Sequence, residues 1–341
     1  MDPFALTRAL VDLDSTTGNE KPVVDFLFSH LSALAHRHNG RIERLAAAPD
    51  RDNLFLTFGD PIVTLSTHTD TVPPYFSSFE DDTHVHGRGS CDAKGIIAAM
   101  IHSAESLLAE GIRNFALLFV VGEERDSAGA IAAASTPRGS RFLINGEPTE
   151  NQLALGSKGV LRYEILARGK LAHSAYPELG HSAIHSLLDA LAEIRALPLP
   201  FDPVLGQSTL NVGTIRGGRA PNVIADDARA EIMFRLVTDP AELRLAVTKT
   251  AQTHKVEARE VLFNPAVHLN TLADLSTTVV AFATDIPTFN GAWGRPYLIG
   301  PGSIHVAHTA EERIPKRELT DAVGIYSRMV RQLLSTGEAR A

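Results

Sequence analysis

The apolar positions along the chain follow two periods, which predict helices and strands in alternation. Helical spacing predicts helices at residues 4–14, 21–36 and 96–110, the last of them amphipathic and ending at Gly111. Short apolar runs predict buried strands at residues 53–58, 62–65, 115–121 and 141–144. Strands and helices that alternate in this way are typical of an α/β fold, with a sheet flanked by helices.

The pattern changes at residue 156. It predicts strands at residues 160–167, 209–215, 228–237 and 256–263, and helices at residues 182–197 and 240–253. The resulting order, β-α-β-β-α-β, is that of a ferredoxin-like domain. We therefore expect an inserted domain at residues 156–265, within a discontinuous domain formed by residues 1–155 and 266–341. After the insertion, the pattern predicts a helix at 273–282, a short strand at 296–299 and a final helix at 316–334.

Histidine and carboxylate residues follow the predicted strands of the first segment. In chain order they are His68 with Asp70, Asp92 just before the helix at 96–110, Glu123 with Glu124, and Glu147. Each has a plain structural interpretation by itself, because polar residues close strands and aspartates cap helices. The carboxyl ends of parallel strands, however, converge on one crevice. Together these residues therefore predict a functional site at one edge of the sheet.

Composition narrows the classes of function. The net charge of −8 argues against a nucleic-acid-binding protein, which normally carries a basic surface. The single cysteine, Cys91, excludes an intramolecular disulfide and a thiolate-rich zinc site. No apolar run approaches the roughly 18 residues that a membrane-spanning helix needs, and the N-terminal residues do not resemble a signal peptide. We therefore expect a cytoplasmic protein that binds neither nucleic acid nor membranes.

The histidines and carboxylates form a set suited to divalent metal ions. The candidate ligands are His68, Asp92, Glu124, Glu147 and His308. Imidazole nitrogens and carboxylate oxygens are ligands of zinc and similar ions. Five side chains cannot all bind one four-coordinate ion, but they can hold two ions if one carboxylate bridges them. A neighbouring carboxylate, Glu123, then remains free to accept a proton from the attacking water.

Five stretches of the chain resemble a family of dinuclear zinc exopeptidases and deacylases. This family includes acetylornithine deacetylase, succinyl-diaminopimelate desuccinylase, aminoacylase and carboxypeptidase G. The matching stretches are Ser66-Thr67-His68-Thr69-Asp70-Thr71-Val72-Pro73, Gly87-Arg88-Gly89-Ser90-Cys91-Asp92-Ala93-Lys94-Gly95, Gly122-Glu123-Glu124, Glu147-Pro148-Thr149, and Ala307-His308-Thr309-Ala310-Glu311-Glu312. They occur in the family's order and span nearly the whole chain. The layout is also similar, since a zinc-binding catalytic domain in two segments is interrupted by a lid and dimerisation domain.

The resemblance implies a role for each candidate ligand. Asp92 would bridge two Zn²⁺ ions, for which Co²⁺ or Mn²⁺ could substitute. Glu124 and His308 would complete the site of one ion, and His68 and Glu147 would complete that of the other. The peptide bond after the bridging aspartate is cis in relatives, so the resemblance also implies a cis bond after Asp92.

Further roles implied by the resemblance concern catalysis and substrate binding. Glu123 would act as general base and then as acid toward the leaving amine. Asp70 would orient His68. In the lid domain, His173 would stabilise the oxyanion, and in dimeric relatives this histidine comes from the neighbouring subunit. The implied substrate-binding residues are Asn222, Arg235, Gly302 and Ser303.

These features predict a metal-dependent hydrolase that cleaves the acyl-amide bond of a small N-acyl-L-amino acid, similar to acetylornithine deacetylase. A homodimer formed through the lid domain is also expected by resemblance. The nearest alternative is a dipeptidase or carboxypeptidase that uses the same pair of ions. A two-metal phosphoesterase and a protein that keeps the fold but only binds a ligand are more distant alternatives.

Overall fold

A computed structural model describes residues 1–338 of the chain. The α-helices are α1 (Pro3–Val11), α2 (Lys21–Arg37), α3 (Gly95–Ala109), α4 (Ala128–Ser135), α5 (Ala183–Arg195), α6 (Ala241–Thr253) and α7 (Lys316–Glu338). None of the helices within this range combines the length and the apolar character needed to cross a membrane.

The β-strands of the same range vary in length from 2 to 10 residues. In chain order, the first nine are β1 (Arg41–Ala48), β2 (Arg51–Phe58), β3 (Val63–His68), β4 (Phe79–Glu80), β5 (His84–His86), β6 (Phe115–Val120), β7 (Phe142–Asn145), β8 (Leu153–Ser157) and β9 (Gly159–Arg168). The others are β10 (Phe201–Asp202), β11 (Gly206–Gln207), β12 (Thr209–Gly217), β13 (Asp227–Leu236), β14 (Val256–Asn264), β15 (Val267–His268), β16 (Thr277–Val280), β17 (Arg295–Leu298) and β18 (Arg313–Pro315).

The chain divides into two compact units. The first comprises Met1–Leu155, Leu269–Thr278 and the described chain from Thr284 onward, and the second comprises Gly156–His268 and Val279–Ala283. A lid and dimerisation role for the second unit stays a prediction.

The main sheet of the first unit has the strand order β1-β2-β6-β3-β7-β17. Strands β6, β3, β7 and β17 are parallel, whereas β1 and β2 are joined antiparallel at one edge. This mixed sheet confirms the predicted α/β class. The edge strand β1 escaped prediction because none of its side chains is fully buried, so its apolar periodicity is weak.

Helices cover both faces of this sheet. On one face Leu65 and Leu117 pack into a core with α1, α2, α3 and α7, and on the other Leu118 and Leu143 pack with Trp293 and α4. Alternate residues of β6 therefore enter different layers, which explains why its sequence is continuously apolar. Helix α3 is buried around most of its circumference because it packs against α1 and α7. The predicted amphipathic character of this helix was therefore wrong, although its position was correct.

The second unit contains a four-stranded antiparallel sheet with the order β12-β13-β9-β14. Helices α5 and α6 cover one face, where Leu161, Ile165 and Phe234 pack against Leu187 and Val247. The chain order β9-α5-β12-β13-α6-β14 is the ferredoxin-like order that the sequence predicted.

The helix predicted at residues 273–282 was wrong, because the structure forms strand β16 within this range. All four residues of β16 are threonine or valine. Such β-branched side chains lose χ1 freedom in a helix and favour strands. The local propensity therefore outweighs the loose helical spacing of the apolar residues.

Candidate active site

Parallel strands bring the predicted site residues to one edge of the main sheet. His68 is the last residue of β3 and is paired with Val120, the last residue of β6. The chain reaches Glu123 just after β6 and Glu147 just after β7. Since parallel strands end at the same edge, side chains that are distant in sequence are brought together there.

The Asp92 carboxylate lies between two histidines. Its Oδ1 is 2.8 Å from His68 Nε2, and its Oδ2 is 3.4 Å from His308 Nε2. His308 Nε2 is also 2.9 Å from Glu124 Oε1. Each oxygen of Asp92 therefore faces a different imidazole, which is the arrangement that a carboxylate needs in order to bridge two cations. The Asp92–Ala93 peptide bond is cis, as the resemblance implied.

Further carboxylates surround this group. Ligand atoms of His68, Asp92 and Glu124 lie within 4.8 Å of one another. Glu147 is buried, and its Oε1 has no hydrogen-bond partner within the described residues. Glu123 is partly buried on the same loop as Glu124. A buried carboxylate oxygen that lacks a donor is costly unless a cation binds it, so this donor set fits metal ions.

The pKa values reflect this concentration of negative charge. Burial, together with the charge of Glu147, raises the pKa of Glu123 well above its usual value. Burial also raises the pKa of Glu147 itself. Burial opposes ionisation of Asp92, but hydrogen bonds from His308 and His68 outweigh it and lower the pKa of Asp92. The hydrogen bond to Asp92 in turn raises the pKa of His308 to about 10.

Asp70 holds the loop that carries the two glutamates. Its Oδ1 accepts the backbone N–H groups of Gly122 at 2.9 Å and Glu123 at 3.1 Å, and its Oδ2 accepts that of Glu124 at 3.2 Å. His68 Nδ1 lies 3.0 Å from the backbone oxygen of Asp70 and 3.5 Å from its Oδ1. The main chain of Asp70 is thus the closer partner of His68, while its carboxylate positions the glutamates.

Glu312 holds the loop that carries Asp92, and the sequence did not indicate this role. Its Oε1 accepts the backbone N–H groups of Gly89 at 2.9 Å, Cys91 at 3.3 Å and Asp92 at 3.1 Å. Its other oxygen forms an ion pair with Arg88, and both side chains are buried. No spacing rule could have found this pair, because the two residues are 224 positions apart.

Replacing Glu312 by alanine is expected to lower the free energy of unfolding by about 3–5 kcal/mol, because the Arg88 guanidinium then stays buried without its partner. Urea denaturation measures this loss. Glu311→Ala is the matched control, because the Glu311 side chain is 85% exposed and surface substitutions usually change stability by about 0.5 kcal/mol at most. Equal losses in the two variants would contradict the assigned role.

Comparison with known proteins identifies the family. The profile of Peptidase family M20/M25/M40 matches residues 64–332, which is well over half of the chain. The chain belongs to this family. A peptidase M20 domain-containing protein of Schizosaccharomyces pombe is 37% identical over 336 residues, which cover 96% of this chain and 84% of that protein. A protein of Aspergillus clavatus named "probable carboxypeptidase" is 35% identical over an alignment of 378 positions, which covers 97% of this chain and 82% of that protein.

Solved structures show the same fold as this M20 chain. A tripeptidase from Staphylococcus aureus superposes with a TM-score of 0.81 at 22% identity, covering 97% of each chain. Family membership and the curated relatives together show that the M20 chain is a hydrolase of amide bonds.

The second unit of the M20 chain carries two predicted residues on adjoining exposed loops. The Ser174 N–H donates to the backbone oxygen of Asn222 at 3.0 Å, which joins the loop of His173 to that of Asn222. His173 Nδ1 accepts the Ala175 N–H at 3.1 Å. In the neutral imidazole the proton therefore lies on Nε2, which remains available as a donor.

A third predicted residue of the second unit, Arg235, lies on β13 and is half-buried. Burial lowers the pKa of its guanidinium. It forms no ion pair with any residue in the range 1–338. A half-buried guanidinium without an acidic partner is suited to an anionic group of a ligand.

Gly302 and Ser303 lie in the first unit, and several of their polar groups are already hydrogen-bonded. The Gly302 N–H donates to Glu318 Oε2 at 2.8 Å, and its carbonyl accepts the Glu150 N–H at 2.8 Å. Ser303 Oγ donates to Glu150 Oε1 at 2.7 Å. The predicted contacts of these two residues with substrate stay a prediction.

Proposed function

We propose that this M20 hydrolase is a metal-dependent exopeptidase that releases the C-terminal amino acid from small peptides. The observation that carries the proposal is the Asp92 carboxylate, whose two oxygens face His68 and His308, with Glu123 on the adjoining loop. The names of the curated relatives support a peptide substrate.

The donor set supports a pair of divalent cations. Asp92 would hold both, His308 and Glu124 would complete the site of one, and His68 and Glu147 would complete that of the other. Nitrogen and oxygen donors without a thiolate suit Zn²⁺, with Co²⁺ or Mn²⁺ as substitutes. Such a pair of cations, when bound, lowers the pKa of a water molecule and polarises the carbonyl group of the substrate.

Glu123 is the residue proposed to move the proton. It would accept a proton from the water that attacks the carbonyl carbon and deliver it to the nitrogen of the scissile amide. The C–N bond then breaks and a neutral amine leaves. The hydrogen bond from the Glu123 N–H to Asp70, at 3.1 Å, fixes the backbone from which the carboxylate projects.

Residues of the second unit are proposed to bind the substrate. Arg235 would bind its free carboxylate through two parallel hydrogen bonds, the geometry that arginine favours with carboxylates. His173 would donate from Nε2 to the oxygen that gains negative charge as the tetrahedral adduct forms. Asn222, on the loop joined to that of His173, would contact the substrate beside it.

Arg235→Lys is expected to lower kcat/KM for peptides with a free C-terminal carboxylate by about 10–100-fold, because hydrogen bonds to charged groups contribute about 1.5–3 kcal/mol and lysine lacks the planar pair of donors. The variant should change kcat/KM little for C-terminally amidated peptides. Arg162→Lys is the matched control, because Arg162 belongs to the same sheet but pairs with Glu231. An equal loss on free and amidated peptides would contradict carboxylate binding by Arg235.

Two candidate activities differ in the group that the substrate carries on the acyl side of the scissile bond. The resemblance to acetylornithine deacetylase favours an N-acyl amino acid, whereas the curated relatives favour a peptide. A panel of dipeptides and tripeptides should be compared with acetyl-ornithine, acetyl-lysine, acetyl-citrulline and succinyl-diaminopimelate. We expect the highest kcat/KM for a peptide, and a higher value for an acylated amino acid would replace the exopeptidase proposal with a deacylase. Turnover of a phosphate ester alone would support the phosphoesterase alternative.

Dimerisation through the second unit is proposed because one edge strand of its four-stranded sheet is exposed. Strand β12 lies at the edge of the sheet with mostly exposed side chains, and an unpaired edge offers main-chain hydrogen bonds to a second copy. Sedimentation velocity over a range of protein concentrations tests whether the protein is a dimer. A monomer at every concentration would exclude a role for His173 in a neighbouring subunit.

A further inference from the structure

A second group of metal-binding side chains lies on the first unit, in the hairpin of β4 and β5. Asp81, His84 and His86 each offer one ligand atom, and the three atoms lie within 4.8 Å of one another. Donors bound to one Zn²⁺ at about 2.0–2.2 Å lie roughly 3–4 Å apart, so a small adjustment of the side chains closes this group around an ion. The reaction proposed above uses none of these residues.

Two of the three ligands are held in place by the hairpin itself. Asp81 Oδ1 accepts the backbone N–H groups of Thr83 at 2.7 Å and His84 at 2.8 Å. The other oxygen, Oδ2, lies 2.9 Å from His86 Nε2. The His86 ring stacks on Phe79 with a centroid distance of 4.2 Å. Binding an ion would therefore order few additional side-chain torsions.

His84 supplies the third ligand. It is two positions from His86 along β5, so both imidazoles leave the strand on the same side. His84 Nδ1 lies 3.9 Å from Asp81 Oδ1. His84 Nδ1 also lies 2.8 Å from Thr83 Oγ1, a hydroxyl that is 2.9 Å from Asp81 Oδ1, so this imidazole is held beside the carboxylate. The His84 side chain is 30% exposed, so an ion can reach it from solvent.

We propose that Asp81, His84 and His86 form an accessory site for a divalent ion of the Zn²⁺ class. Two imidazoles and one carboxylate suit Zn²⁺, Ni²⁺ or Cu²⁺, whereas Ca²⁺ and Mg²⁺ prefer oxygen ligands only. Nearby Lys316 and Arg8 pair with Glu80, at 3.2 Å and 3.0 Å, and Lys316 Nζ donates to the backbone oxygen of Asp81 at 2.6 Å. Neither forms an ion pair with the Asp81 carboxylate among the described residues.

A bound ion would stabilise strand β5, which leads to the loop that carries Asp92, and its pairing with β18. Strand β5 pairs with β18, with His86 opposite Arg313, and the Gly87 N–H donates to the backbone oxygen of Glu312 at 3.1 Å. An ion bound by folded protein stabilises it by mass action. Zn²⁺ bound at the hairpin is therefore expected to contribute to thermal stability without touching substrate.

The test compares zinc content in full-length proteins. Wild type, His84→Ala and His86→Phe are dialysed to equilibrium against Zn²⁺, and bound zinc per chain is measured by elemental analysis. Phenylalanine at position 86 keeps a ring to stack on Phe79 while removing the donor nitrogen. Each variant is expected to bind one ion fewer than wild type, to show a smaller zinc-dependent rise in melting temperature, and to keep kcat.

His254→Ala is the matched control, because His254 is a histidine paired with a carboxylate, that of Glu193 at 2.7 Å, outside the hairpin. This variant should bind as much zinc as wild type. Zinc content equal to wild type in both hairpin variants would overturn the proposal, and so would an equal loss in the control. Either result would count against the hairpin site and not against the proposed catalytic site, because the proposed catalytic ligands are unchanged in all four proteins.

Discussion

Glu123→Gln is expected to lower kcat by about 10²–10⁴-fold, the range that a general base contributes, while the protein keeps its metal ions. Glutamine has nearly the size of glutamate and preserves the backbone hydrogen bond to Asp70, but its amide cannot accept the proton of the attacking water. Because Glu123 is not among the proposed ligands, KM and metal content should change little. Steady-state kinetics and elemental analysis of the same sample measure both quantities.

The neighbouring residue provides the control for this experiment. Glu124 Oε1 lies 2.9 Å from His308 Nε2, which makes it a proposed ligand. Glu124→Gln should therefore lower the metal content as well as kcat, although the chemical change is the same. A near-normal kcat in Glu123→Gln would reject its role as base. Loss of metal from Glu123→Gln would instead place it among the ligands.

Removal of the divalent ions is expected to abolish turnover and to lower the melting temperature, and Zn²⁺ or Co²⁺ should restore both. Without cations, Asp92, Glu124 and Glu147 remain crowded in a site where no described residue donates to Glu147 Oε1, and buried charges without partners are destabilising. Bound ions reverse this cost and add the stabilisation that any ligand of the folded state provides. Activity assays and thermal melts before and after chelation measure the two effects.

Two variants distinguish the effects of the catalytic ions from the effect of the proposed hairpin ion. In Asp92→Asn, which weakens the shared ligand, added Zn²⁺ should fail to restore activity. In His84→Ala, Zn²⁺ should restore activity fully but should raise the melting temperature less than in wild type. Turnover that persists after complete removal of metal from the wild-type protein would refute the metal-dependent mechanism.

The sequence alone determined most of the elements and the chemical character of the site. The strands β3, β6 and β7 are buried along their whole length because helices cover both faces of the sheet, and ionisable residues appear only at or after their last positions. His68, Glu123 and Glu147 were therefore visible as residues that follow buried strands. The apolar period failed at β1, where partial burial weakens it, and at β16, where the strand propensity of threonine and valine outweighed a loose helical spacing.

The tertiary structure decided which groups meet. Only the packed chain shows that the two oxygens of Asp92 face different histidines, and that the Asp70 carboxylate holds the glutamate loop while its main chain contacts His68. The buried pair of Arg88 and Glu312 has no signature in local sequence. The physical reason is that the spacing of apolar residues shows only which face of a segment is buried and which is exposed. The pairing of two side chains 224 positions apart depends on how the segments pack against each other.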